Sequence, residues 1–105
     1  MVKTDEYRKL AMSFQGVAEL PHFERTSFRV NKKIFATLSE KENIAMLKLS
    51  LVDQSVFCDM SEGVIYPVPG GWGTQGATYF DLKKVKKKML MDAMTCSYKL
   101  VASKK

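Results

Sequence analysis

The sequence predicts an α+β domain in two layers: an antiparallel five-stranded sheet with helices, in the order α-β-β-β-α-β-β-α. Three observations predict it. Apolar residues recur at helical spacing near both ends of the chain and once in the middle, and alternate with period two between those stretches. The alternating stretches are joined by short polar turns, which pair neighbouring strands antiparallel. The helical stretches carry apolar faces of the kind that gather on one side of such a sheet.

The elements follow in order. Thr4 is a good N-cap, and Asp5 and Glu6 sit in the first turn, where the helix dipole favours acids. Tyr7, Leu10, Ala11 and Phe14 follow at helical spacing, and Gly16 ends the helix. Residues 27–39 read as a hairpin. Phe28 and Val30 alternate with Ser27 and Arg29, Asn31-Lys32 makes the turn, and Ile34, Ala36 and Leu38 alternate with Phe35 and Thr37. Asn accepts positive φ readily and Lys less so, which leaves the turn type open. After the charged turn at 40–43, residues 44–49 form the third strand. Ser50-Leu51-Val52-Asp53 resembles a capping box, with Val52, Val56, Phe57 and Met60 as the expected buried face of a short helix. Glu62-Gly63 stops that helix. Residues 64–68 and 77–80 supply the last two strands, and Asp81 is the expected cap of the final helix.

That final helix presents two apolar groups. Leu82, Val85, Met89, Ala93, Cys96 and Leu100 share one face, which is expected to lie on the sheet. Leu90, Met94, Tyr98 and Val101 lie on the opposite side. Either the first helix covers this second stripe or it forms a homodimer contact.

With 105 residues, 46% of them apolar, the chain holds enough material for one core over residues 1–105. No apolar run approaches the roughly 20 residues that span a bilayer. The N-terminal residues contain no apolar signal core, so a cytoplasmic protein is expected. Cys58 and Cys96 lack motif spacing and read as reduced, inert thiols. Together with the single His22 they supply too few soft ligands for zinc, so neither metal nor cofactor is expected.

The net charge of +6 is unevenly spread. Residues 83–105 hold eight lysines against one acid, Asp92, whereas residues 1–82 hold nine bases and ten acids. A lysine-rich end is an ordinary solvated helix face or the footprint of a polyanion such as DNA. Lys83, Lys84, Lys86, Lys87 and Lys88 are expected in the first two turns of the final helix, the end where the dipole disfavours cations.

The stretch 66–76 contains the only tryptophan, Trp72, with two of the three prolines and four of the six glycines. Proline fixes φ and glycine permits shapes that a Cβ forbids, so this loop has a specified form. Trp72 is either a plug on the sheet edge or a surface for stacking a ligand.

Four blocks now line up: 10–17, with Phe14 and Gly16; 27–38, with Phe28-Arg29-Val30 and Lys33; Leu47-Lys48-Leu49 with Tyr66-Pro67 through Trp72-Gly73; and Ser97-Tyr98-Lys99-Leu100-Val101. Together they resemble the MmcQ/YjbR-like family of small bacterial proteins over about residues 7–104. The resemblance implies a domain similar in outline to secretion-chaperone-like folds, and a DNA-binding label by analogy with double-wing modules. The chain departs from the pattern at 83–88, where many relatives are acidic or mixed, and at Ala77, where an aromatic is frequent.

No catalytic constellation is visible. His22 has no nucleophile motif around it, the carboxylates are scattered, and Gly70-Gly71-Trp72-Gly73-Thr74 lacks the lysine of a phosphate-binding loop. The expectation is a non-enzymatic binding module. Arg29, Lys33, Lys48, Trp72, Lys84, Lys87 and Lys88 are its candidate nucleic-acid or anion contacts, for low-specificity DNA binding in the first instance. His22, Arg29 and Trp72 are the candidates for a small-ligand pocket. A concave surface beside Trp72 favours a small ligand, and a flat or convex one a polymer.

Overall fold

A computed structural model describes residues 2–22 and 24–103; the His22 side chain lies outside the described part. The chain runs α1 (Thr4–Met12), β1 (Ala18–His22), β2 (Arg25–Val30), β3 (Lys33–Ser39), β4 (Ile44–Lys48), α2 (Leu51–Met60), β5 (Ile65–Pro67), α3 (Gly71–Thr74), β6 (Ala77–Asp81) and α4 (Lys87–Ala102). The six strands form one antiparallel sheet in the order β1-β2-β3-β4-β6-β5. The expected two-layer α+β class stands, with six strands in place of five. The additional one, β1, is an edge strand that buries few side chains and contains Pro21, so neither alternation nor β-propensity marks it.

Asn31 and Lys32 both take positive φ, 52° and 65°, which makes the β2–β3 connection a type I′ turn. The Asn31 side-chain amide donates to the carbonyl of Ala102 at 3.1 Å and so ties the turn to the end of α4. Just beyond the turn the register slips: Phe28 faces Ala36, but Arg29 faces Ile34, leaving Phe35 as an extra residue on β3. This bulge turns both Phe35 and Ala36 into the core, where each is fully buried. The Ser97 hydroxyl of α4 donates to the Phe35 carbonyl at 2.7 Å, so the bulge and the helix on it are locked together.

α4 lies across β2, β3 and β4, and α1 packs on β3 of the same face. The buried side of α4 is Leu90, Ala93, Met94, Ser97 and Val101. This corrects the expected assignment. The helix starts at Lys87, not at Asp81, so Leu82 and Val85 are buried in the preceding turn and do not belong on the helical wheel. Without them the wheel rotates, and the stripe read as a homodimer contact becomes the core face. Leu90 and Met94 are fully buried, Val101 nearly so, and Tyr98 stacks on Phe14 with ring centroids 4.7 Å apart. The homodimer expectation through Leu90, Met94, Tyr98 and Val101 therefore loses its surface.

α2 is likewise turned around. Its cap is as expected, the Ser50 hydroxyl accepting from the Asp53 N–H at 3.1 Å. Yet Val52, Val56 and Met60 are exposed, and Gln54 is the buried residue. Phe57 is half-buried and packs against the core as expected. No helix among the described residues is long and apolar enough to cross a membrane.

Candidate functional site: a groove on the open face of the sheet

α1 and α4 cover one face of the sheet; the other lies open. Strand parity decides which side chains it shows. Ser27, Thr37, Met46, Tyr79 and Tyr66 form one row across neighbouring strands. Here a concave groove of about 960 Å³ is lined by Ile34, Thr37, Met46, Val68, Ala77 and Tyr79 as its floor and wall. Lys33, Lys48, Trp72 and Gln75 border one part of it, and Glu24 and Arg25 another.

The groove is shaped by the tryptophan loop, and that loop is held by close backbone contacts. A Cβ on Gly73 would come within 1.9 Å of the Val68 carbonyl oxygen, and one on Gly76 within 1.9 Å of the Leu49 carbonyl oxygen. Neither position has room for a side chain. The Leu49 N–H donates to the Gly76 carbonyl at 2.9 Å, and the Val68 N–H to the Ala77 carbonyl at 3.0 Å. Gln54 explains the orientation of α2. Its side-chain nitrogen lies 3.0 Å from the Gly73 carbonyl, 3.1 Å from the Ala77 carbonyl and 3.1 Å from the Thr78 hydroxyl. A buried amide with these acceptors is worth more inside than a valine, since leaving such groups unpaired costs about 1–3 kcal/mol each. The apolar side of α2 is left outside.

Trp72 rides on the one-turn α3 within this braced loop and is 73% exposed. The expected alternative of a plug packed on the sheet edge is thereby set aside. Lys48, paired with Ala77, projects from the open face beside the loop. Arg25 sits 5.6 Å from the centre of the Tyr79 ring and donates to the Tyr79 hydroxyl at 3.5 Å, with Glu42 at 3.9 Å. Thr37 is 95% buried in the groove floor.

The structure brings together Lys33, Lys48 and Trp72 of the expected contacts and separates the others. Arg29 is on the same face but donates to the Ser27 hydroxyl at 3.2 Å and lines a smaller recess with Ala18, Leu20 and Lys32. Lys84, Lys87 and Lys88 do not line the groove. Lys84 lies in the turn that follows β6, where the Asp81 carboxylate accepts from the Lys83 N–H at 3.0 Å; Asp81 shapes this turn and does not cap the helix. Only Lys87 and Lys88 enter the first turn of α4, so the clash with the helix dipole is smaller than the sequence implies. Lys87 pairs with Glu6 of α1 at 3.4 Å. The Lys3 N–H, and secondarily Lys87, hold the Glu6 carboxyl below its usual range.

Arg25, Thr37, Met46 and Tyr79 were missed as site residues. Arg25 shares parity with Arg29, but β2 begins two residues before the expected strand, at Arg25. Cys58 and Cys96 are half-buried and unpaired with each other. Burial pushes both thiols up, assisted by Asp59 at Cys58 and by Asp53 and Asp92 at Cys96, the reverse of what a nucleophile needs.

No protein family model matches the chain, and no curated protein matches it. Among solved structures it is similar to the crystal structure of Deinococcus radiodurans protein DR2400, which carries the family-model domain DUF419. The two superpose with a TM-score of 0.84 over 99% of this chain and 81% of that one, at 19% sequence identity. At that identity the likeness is one of fold: this chain has the architecture of a small bacterial α+β domain of the DUF419 type.

Proposed function

We propose that this chain is a non-catalytic binding module that holds a small anionic ligand with a flat apolar body in the groove on its open sheet face. One observation carries the reading. Two lysines and an exposed tryptophan border a single concave surface with an apolar floor. Ligand sites combine these features: concavity, apolar lining and a few polar groups that fix orientation. The same reading takes the MmcQ/YjbR-like resemblance as one of fold and sets aside its DNA-binding label.

Low-specificity DNA binding is the second reading, favoured by the basic excess of residues 83–105. Its difficulty is geometric. Lys87 and Lys88 belong to the helical layer, and Lys48 projects from the opposite face beside the groove. One duplex does not lie against both.

The test uses an anilinonaphthalene sulfonate, an aromatic anion, and a short DNA duplex, each titrated against the native chain and two variants. Binding of the sulfonate that is weakened by Trp72→Ala and unaffected by joint Lys84→Gln, Lys87→Gln and Lys88→Gln substitution supports the small-ligand reading. Duplex binding that is lost in the triple lysine variant, with no sulfonate binding, overturns it.

A further inference from the structure

Independently of the groove, we infer that the outward face of α2 is a docking surface for a cationic amphipathic helix of a partner protein. Exposed apolar side chains gather on this helix. Leu51, Val52 and Met60 are each more than half exposed, and Val56 nearly so. The three acceptors around the Gln54 amide fix the roll of α2, so the stripe cannot turn inward. Contiguous apolar surface that a fold holds in water marks an interaction site.

Spacing sets the shape of the partner. Val52, Val56 and Met60 recur every fourth residue and form one ridge, about 12 Å long at the rise of an α-helix. A ridge of this spacing seats between the matching rows of another helix, crossing it at about −50°. The complement is therefore a helix of at least about two turns with its own apolar stripe.

Charge sets the partner's flanks. Asp53 follows Val52 round the helix and Asp59 precedes Met60, which puts the two carboxylates on opposite edges of the ridge. Asp53 is on the edge towards α4, where it adds to burial in pushing up the Cys96 thiol. Glu62 is exposed just beyond the helix. None of the three is in an ion pair among the described residues, and residues 49–82 contain neither lysine nor arginine. In a chain of net charge +6, this is an apolar ridge with an acidic rim. Lysines or arginines beside a partner's stripe would meet Asp53 and Asp59 with their heads and cover the ridge edges with their stems.

Other occupants fit less well. Two copies joined ridge to ridge would bring like carboxylates together. Joining α2 to residues 83–88 of a second copy gives a head-to-tail contact that does not close. Helices that lie on membranes carry Lys and Arg on their polar side, and α2 carries none.

The test uses a fluorescein-labelled leucine–lysine peptide of about 18 residues, with its leucines on one helical face, titrated by anisotropy against the native chain. A peptide with glutamate in place of lysine is the control. The lysine peptide is expected to bind about tenfold or more tighter than the glutamate one, with amide shifts gathered at residues 51–62. Joint Val56→Ser and Met60→Ser substitution should weaken it about tenfold or more. Joint Asp53→Asn and Asp59→Asn substitution should remove most of the preference for lysine, together with its salt dependence. Equal binding of the two peptides, binding of neither, or shifts gathered elsewhere overturns the inference. So does sedimentation that shows a dimer abolished by Val56→Ser and Met60→Ser, which makes a second copy the occupant. Binding to phosphatidylcholine or phosphatidylglycerol vesicles that the same variant loses also overturns it. Circular dichroism and a melting curve for each variant exclude loss of fold as the cause.

Discussion

Gly73 is where the shape of the groove depends on a single hydrogen atom. A methyl group there meets the Val68 carbonyl oxygen at 1.9 Å, so the loop must move. Gly73→Ala is expected to cost about 1–3 kcal/mol in urea unfolding, the usual range for forced overpacking. Any sulfonate affinity should fall with it. At Gly71, by contrast, nothing lies within 4 Å of an added Cβ and φ is not positive, so Gly71→Ala should stay within about 0.5 kcal/mol of the parent. The fixed form of the loop was legible from its glycines and prolines, whereas the sequence left open whether Trp72 is a plug or an exposed surface, and the structure exposes it. The place of Thr37 was not legible. Read by simple alternation along β3, Phe35 and Thr37 share a face; the bulge at Phe35 puts one in the core and the other in the groove. A bulge leaves no mark in the apolar pattern of its own strand.

The helices were legible as elements and misread in orientation. In α2 an apolar stripe at Val52, Val56 and Met60 predicts a buried face, but the buried side is decided by what Gln54 can reach. In α4 five residues of turn were counted as helix, which rotated the wheel. Two substitutions check these orientations by thermal or urea melting. Met94→Ala should cost about 2–5 kcal/mol, as for a fully buried side chain. Val52→Ser should change stability by no more than about 0.5 kcal/mol, as for a surface position. A costly Val52→Ser together with a mild Met94→Ala would mean that both helices face the other way.

Across the whole molecule, charge and concavity sit on different layers. The basic excess of the sequence belongs to the stretch around the start of α4, and the groove belongs to the opposite face. No local pattern in the sequence reveals this, because it depends on the strand order, in which β6 enters between β4 and β5. Joint Lys84→Gln, Lys87→Gln and Lys88→Gln substitution should leave the fold intact, since all three are exposed and the Lys87–Glu6 pair is a surface one. The melting midpoint is expected to stay within a few degrees of the parent. The most direct test of the groove as binding site is amide chemical-shift mapping during titration with the anilinonaphthalene sulfonate. Shifts gathered at Lys33, Thr37, Lys48, Trp72 and Tyr79 are the predicted result. Shifts gathered at residues 83–88, or along the exposed side of α2, would contradict it.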